Sequence, residues 1–192
     1  MTSEPQWVYS RVSESEGLNK MDPKVVKELE LLKQVKEFMM YNADTGAFTW
    51  IKQTGSIQVG YIAGNVNYTG YRRLVIDGKY RLAHRIAWLY TYGTFPESQI
   101  DHINGIRDDN RIDNLRAVNN SENSKNSKLR NDSTAGITGL SERRNGKSWR
   151  VYVQADGKLI GLGTHSDFFE ACCIRKSAEL EYNYHPNHGR AT

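Results

Sequence analysis

Residues 101–123 read Asp-His-Ile-Asn-Gly-Ile-Arg-Asp-Asp-Asn-Arg-Ile-Asp-Asn-Leu-Arg-Ala-Val-Asn-Asn-Ser-Glu-Asn. One of the chain's five histidines, His102, stands beside Asp101, and asparagines follow at 104, 110, 114, 119, 120 and 123. Asparagine is frequent in turns because its side chain bonds its own backbone and tolerates left-handed conformations, which accounts for two or three of the six but not for their order. The residue types suit phosphodiester hydrolysis. That reaction needs an activated water, neutralisation of charge on the non-bridging oxygens, and help for the departing alkoxide. His102 suits the general base, since imidazole titrates near neutral pH. Asp101 offers charge and Asn123 a carbonyl oxygen to a hard cation such as Mg²⁺ (or Mn²⁺), which prefers oxygen ligands and keeps several waters.

These groups converge only if the chain around them folds in a particular way. Residues 100–103 and 115–118 read as short extended runs and 121–128 as the start of a helix, giving strand, loop, strand and helix. In that arrangement the strands lie side by side and the helix crosses them. Asp101 and Asn123 can then share one ion, with His102 next to it and Asn114 across the strand pair. Upstream, Asp22 and Pro23 are an N-cap and first helical position, and Val25, Leu29, Leu32, Val35 and Met39 recur at helical spacing over about 17 residues. That stripe serves as core or as partner contact. From 42 to 83 the texture is that of strands, and Asp77-Gly78 between alternating segments is the strongest hairpin signal in the chain. Residues 81–92 read as a short helix with Leu82, Ile86, Leu89 and Tyr90 on one side, closed by Gly93 and Pro96.

The remaining bounds are coarse. A chain of 192 residues with 38% hydrophobic content has room for two small cores rather than one large one. The expected divisions are an arm at 1–20, an amphipathic helix at 21–41, a domain at 42–130 and another at 131–192, with a polar, basic stretch at 121–135 between the last two. A net charge of +4 is compatible with a polyanionic partner. The only cysteines, Cys172 and Cys173, are adjacent within a helical pattern, so neither a disulfide framework nor a Cys-x-x-Cys zinc site is available. No apolar run approaches the roughly 18 residues of a membrane span, and the first residues lack a signal-peptide profile. The expectation is a soluble, cytoplasmic protein with no membrane partner. Within the arm, Trp7, Val8 and Tyr9 form a patch on which another protein could dock; the oligomeric state stays open.

The Asp-His pair, with asparagines twelve and twenty-one residues after the histidine, resembles the HNH endonucleases of the phage and intron-homing type. The resemblance takes in TGAFTW, the Gly-Tyr before the hairpin, AHRIAW and the DNR…NLR run, and so covers residues 40–128. It implies a ββα-metal site without structural zinc, Asp101 and Asn123 as metal ligands, and cleavage of double-stranded DNA to 5′-phosphate and 3′-hydroxyl ends. It also implies that the side-chain oxygen of Asn114 accepts the proton on the second ring nitrogen of His102. Asn110 reads as holding the loop, His84 as a packing residue, and His165, His185 and His188 as surface residues.

Residues 136–183 give three strand-like runs and a helix. Gly139-Leu-Ser-Glu-Arg-Arg, Lys147-Ser-Trp-Arg-Val-Tyr-Val-Gln and Lys158-Leu-Ile-Gly-Leu-Gly-Thr, followed by a helix with Glu170 and Ala171, look like the AP2 family of DNA-binding domains. In the second strand, period two puts Trp149, Val151 and Val153 against the helix and Arg150, Tyr152 and Gln154 outward. The resemblance implies that these three, with Ser141 and Arg143, face DNA; Leu159 and Gly161 stand where that family often has arginine and tryptophan. Lys125, Lys128 and Arg130 in the linking stretch suit phosphate contacts that add salt-dependent affinity. The overall expectation is an α+β chain: a ββα-metal nuclease domain preceded by a hairpin-rich region and a helix, followed by a small sheet with a helix. Two competing readings are a DNA-binding regulator with an inactive nuclease relic, and a phage interaction protein with subordinate cleavage.

Overall fold

The computed structural model of the protein describes residues 22–130, 133–144 and 146–190, and the arm expected at 1–20 lies outside them. Helix α1 (Pro23–Phe38) starts where Asp22 accepts from Lys24 N at 2.7 Å. Its buried face is Glu28, Leu31 and Val35, whereas Leu29 of the expected stripe is 39% exposed. Glu28 turns inward because its carboxylate accepts the backbone N–H of Phe95 at 3.1 Å, a donor the loop would otherwise leave without a partner. Val35 and Met39 of the expected stripe are nevertheless buried and Leu32 packs against the core, so Leu29 is the exposed member.

Strands β1 (Met39–Tyr41) and β2 (Phe48–Trp50) form an antiparallel pair around the TGAFTW segment. Next come β3 (Asn65–Val66), β4 (Arg72–Ile76) and β5 (Lys79–Leu82), an antiparallel three-stranded sheet in chain order. The β4–β5 turn is Asp77-Gly78, with φ of 50° and 67°, the doubly left-handed geometry of a two-residue hairpin. Helix α2 (Ala83–Tyr92) follows and ends at Gly93, whose φ of 79° lets its N–H reach Leu89 O. Phe48, Leu74, Ile86, Leu89 and Val35 pack into one core from these elements. A fully buried phenylalanine such as Phe48 is worth about 3–5 kcal/mol against alanine.

Strands β6 (Gln99–His102) and β7 (Leu115–Val118) pair antiparallel, with Asp101 opposite Arg116 and His102 opposite Leu115. A 3-10 turn at Ile112–Asn114 leads into β7, and a five-residue helix, α3 (Asn120–Ser124), follows it. The strand, loop, strand and helix thus stand in the expected order.

The C-terminal part has its own core of Leu140, Val151 and Ala171, joined by Trp149 and Ile174. Strands β8 (Leu140–Glu142), β9 (Trp149–Ala155) and β10 (Lys158–His165) form an antiparallel sheet with β9 central, and α4 (Phe168–Glu181) packs on it. Along β9, Val151, Val153 and Ala155 are buried while Arg150 and Gln154 are exposed, as the period of two requires. The protein is therefore a mixed α and β chain of small antiparallel sheets and four helices among the described residues. No described helix is long and apolar enough to cross a membrane.

The basic stretch after α3 is stitched to the end of the chain. Lys125 O accepts from His185 N, Ser127 O from Gly189 N, and Leu129 N donates to Arg190 O. Lys125 Nζ donates to Tyr182 O at 2.7 Å. Beneath this seam the fully buried Arg175 donates to Thr138 O and meets His188 Nε2 at 3.2 Å. His188 is accordingly a buried residue and not the surface histidine its sequence context suggests.

Candidate active site

The β6–β7 loop is held by its own polar side chains. Asn104 and Asn114 exchange a reciprocal pair of contacts: Asn104 N donates to Asn114 Oδ1, and Asn114 Nδ2 donates to Asn104 Oδ1, both at 3.0 Å. Asn114 Nδ2 also reaches Asp109 O, and Asn104 Nδ2 reaches Asp109 Oδ2. Arg111 clasps Asp109 through two nitrogens and holds its carboxyl down at about 2. Arg72 from β4 grips Asp108 with two bonds of 2.9 Å. The loop is thereby fixed both to itself and to the preceding sheet.

Asn110 sits at the centre of this arrangement, 1% exposed. Its backbone carbonyl accepts from Tyr41 Oη at 2.7 Å, and its Nδ2 donates to Asp108 O, which turns Oδ1 toward Nε2 of His102 at 3.4 Å. The expected partner of that ring was Asn114, but both ends of the Asn114 amide are engaged within the loop. The structure instead brings Asn110, eight residues after His102, to the ring as the loop doubles back. Gly46, from TGAFTW, permits this approach: a Cβ there would lie 2.5 Å from Arg111 N and 2.6 Å from Asn110 C.

His102 is buried, and burial lowers its pKa below the ordinary value, so the imidazole is neutral near pH 7. A carbonyl oxygen facing Nε2 favours the tautomer with its proton on that nitrogen and the lone pair on Nδ1. His84 packs edge-on against it, ring centres 4.9 Å apart, and Tyr71 lies against both rings. Burial, with the neighbouring His102, holds His84 at about 3. The expected packing role of His84 agrees with this environment.

Asp101 and His102 line an open cavity of about 640 Å³ together with Asn123, Lys128 and Arg190. Every hydrogen bond to Asp101 among the described residues falls on Oδ2: Arg116 Nη2 at 2.9 Å and Nε at 3.2 Å, and Asn126 Nδ2 at 2.8 Å. Asn123 donates Nδ2 to Gln99 Oε1 at 2.6 Å, which leaves its own Oδ1 as an acceptor. No three acidic, histidine or cysteine side chains form a metal cage among the described residues. One carboxylate oxygen and one carboxamide oxygen on the same cavity wall nevertheless fit a hard cation that keeps most of its waters. The other asparagines have structural work: Asn119 caps α3 in a reciprocal box with Glu122, and Asn120 begins that helix.

The outward row on the C-terminal sheet crosses three strands, with Ser141 and Thr164 flanking Arg150, and Arg143 just beyond β8. Arg143, Arg150 and Gln154 are exposed, and Ser141 and Tyr152 half-buried. Tyr152 and Gln154 line a cleft of about 400 Å³ that also touches α3 at Asn120, Ser121 and Ser124. Both backbone groups of Gln154 meet Tyr184 Oη, which covers the edge of β9 where β8 has ended. Lys125 is drawn inward to Tyr182 and Tyr184, so it is a seam residue and does not project toward a partner. Lys128 opens on the cavity of Asp101 and His102, and Arg130 lines a separate depression beside Ser141 and Tyr152.

Three residues that hold the site, Arg116 behind Asp101 and Asn126 and Arg190 on the cavity wall, had no reading in the sequence. Arg116 was accessible to inference, since a register pairing 101 with 116 puts opposite charges across the strands. Asn126 and Arg190 gave no local signal.

Residues 81–125 match the family model for HNH endonuclease. That span contains α2, β6, the loop, β7 and α3, and with them Asp101, His102, Asn110, Asn114 and Asn123. This segment is therefore similar to HNH endonuclease domains. Over 76 residues it is 38% identical to Protein 3.8 of Escherichia phage T7, a match that covers 39% of this chain and 63% of that protein. The matched stretch thus falls short of two thirds of the relative's length. No solved structure matches the chain.

Proposed function

We propose that the protein is a metal-dependent endonuclease that hydrolyses phosphodiester bonds in double-stranded DNA, nicks one strand per encounter, and leaves 5′-phosphate and 3′-hydroxyl ends. The observation that carries this reading is His102, buried and neutral, with its Nε2 proton directed at Asn110, on the same cavity wall as Asp101 and Asn123. In this mechanism Asn110 and the Asn104–Asn114 pair orient the imidazole, so that Nδ1 takes a proton from the attacking water. Asp101 and Asn123 would hold a hard divalent cation, Mg²⁺ or Mn²⁺, and the chemistry it would supply there is neutralisation of the charge that develops in phosphodiester cleavage. Arg116 and Asn126 keep the Asp101 carboxylate in one orientation, with Oδ1 left for the ion.

The C-terminal sheet is assigned to DNA binding in an AP2-like manner through Ser141, Arg143, Arg150, Tyr152 and Gln154, with Lys128 and Arg130 on the phosphate backbone. The single Asp-His set supports nicking, because one base and one ion address only the phosphate lying against them. A two-fold dimer could present the second strand. The test is a time course on supercoiled plasmid with Mg²⁺, with Mn²⁺ and with chelator, at several protein concentrations. Open circles accumulating first, only with metal, and ending in ligatable 5′-phosphates are expected. Linear product from the outset with a second-order dependence on protein defeats the nicking assignment, and intact plasmid under every condition defeats the nuclease assignment.

A further inference from the structure

Arg190 reaches the cavity from the far end of the chain. Its Nη1 donates to Asn126 O, Asn126 Oδ1 and Asn187 O, at 2.6, 3.2 and 3.1 Å. Two further bonds anchor the same segment: Asn187 Nδ2 to Ile103 O at 3.0 Å, and Leu129 N to Arg190 O. The rest of the guanidinium lies against Gly105, where a Cβ would come within 2.1 Å of Nη2 and 2.4 Å of Nε. Gly105 has φ of 73° and no side chain, so the loop after the catalytic histidine is shaped to admit this group.

The other arginines around the site are already engaged. Arg72 holds Asp108, Arg111 holds Asp109, Arg116 holds Asp101, and Arg107 donates to Thr69 O over the Tyr71 ring. Arg190 differs. Its Nε and Nη2 edge, carrying three N–H groups, has no hydrogen-bond partner among the described residues, and no carboxylate is paired with it. Asp101 is close enough to favour its charge, but Oδ2 of that residue is already occupied. A partly desolvated cation with an open fork edge, on a cavity wall shared with Asp101, His102 and Asn123, is suited to a phosphate taken in bidentate fashion.

Building on the nuclease reading, we infer that Arg190 binds the scissile phosphate through its Nε and Nη2 edge, so that the C-terminal segment completes the active site. Cleavage then requires the end of the chain to be docked along residues 125–129. The C-terminal part is on this account a supplier of catalytic chemistry as well as of DNA affinity.

The test uses the full chain under single-turnover conditions on supercoiled plasmid with Mg²⁺. Arg190→Ala should nick about 100-fold more slowly, the usual size for one lost donor at a reacting oxygen. DNA affinity and the melting temperature should stay close to wild type, since the seam keeps its backbone bonds. Arg190→Lys, which keeps the charge without the fork, should fall between the two. Millimolar guanidinium chloride should raise the rate of Arg190→Ala and leave wild type unchanged, a response that a merely structural arginine does not give. An alanine variant that nicks as fast as wild type or faster overturns the inference, as does a slow variant that guanidinium fails to rescue. Either result leaves the nuclease reading standing, because the wild type still cuts; a wild type that never cuts removes both.

Discussion

Tyr41 donates its hydroxyl to the backbone carbonyl of Asn110 at 2.7 Å, joining the first strand to the residue that faces His102. The tyrosine is buried between Phe48 and Tyr90, and burial pushes its hydroxyl up to about 12. Tyr41→Phe leaves the Asn110 carbonyl without its donor and should cost about 1–3 kcal/mol in stability. A fall in the urea midpoint at unchanged slope is the expected reading. A nicking rate that falls in parallel would show that the same bond positions the loop.

Replacing the base gives a sharper result. His102→Ala should slow nicking by about 10²- to 10⁴-fold while DNA binding persists. Because burial lowers the His102 pKa, the acid limb of kcat/KM for wild type should lie below the ordinary histidine value of 6.5. Activity is lost only as the pH falls through that lowered value. An acid limb at or above 6.5 would contradict the assignment.

Asp101→Asn retains the shape that Arg116 and Asn126 bind but drops the charge. It should raise the Mg²⁺ concentration needed for half-maximal nicking by at least about tenfold, or abolish cleavage. A metal titration that overlays wild type would move the ion site elsewhere.

Two buried histidines make stability depend on pH. His84 and His188 are held at about 3 and about 4 in the folded chain, against an ordinary 6.5. The unfolded chain binds the extra protons first, so stability is whole above 6.5 and falls as the pH drops toward those folded values. For His84 alone the loss between pH 7 and pH 5 is about 2 kcal/mol. His84→Phe should flatten the decline in urea midpoint across that range by a corresponding amount.

On the sheet, Arg150→Ala should weaken binding to duplex DNA roughly tenfold and lower the slope of log K against log salt by about one. Gel shifts at several salt concentrations measure both. An unchanged slope would remove Arg150 from the contact surface.

Much of this arrangement was legible in the residues. The Asp77-Gly78 hairpin, the strand, loop, strand and helix around His102, and the alternation along β9 follow from local chemistry that no distant contact overrides. The choice between Asn110 and Asn114 was not legible, because it depends on how the twelve residues between the two strands double back on themselves. Leu29 was placed on the buried face of α1 by apolar spacing, but Glu28 and Leu31 take that face beside Val35, Glu28 because it accepts the N–H of Phe95. Arg190 lies beyond any local pattern, since its position depends on main-chain bonds between residues 125–129 and the last turn of the chain.

Those same bonds close residues 125–190 into a lobe that leaves the strand pair of His102 and returns beside it within a few residues. Anchored at both ends, such a lobe acts as a ruler. On the proposed function, with bases read by the sheet and the cut made at the root of the lobe, the interval between the sequence recognised and the bond broken is constant, and every nick should fall at one fixed offset in base pairs from its target.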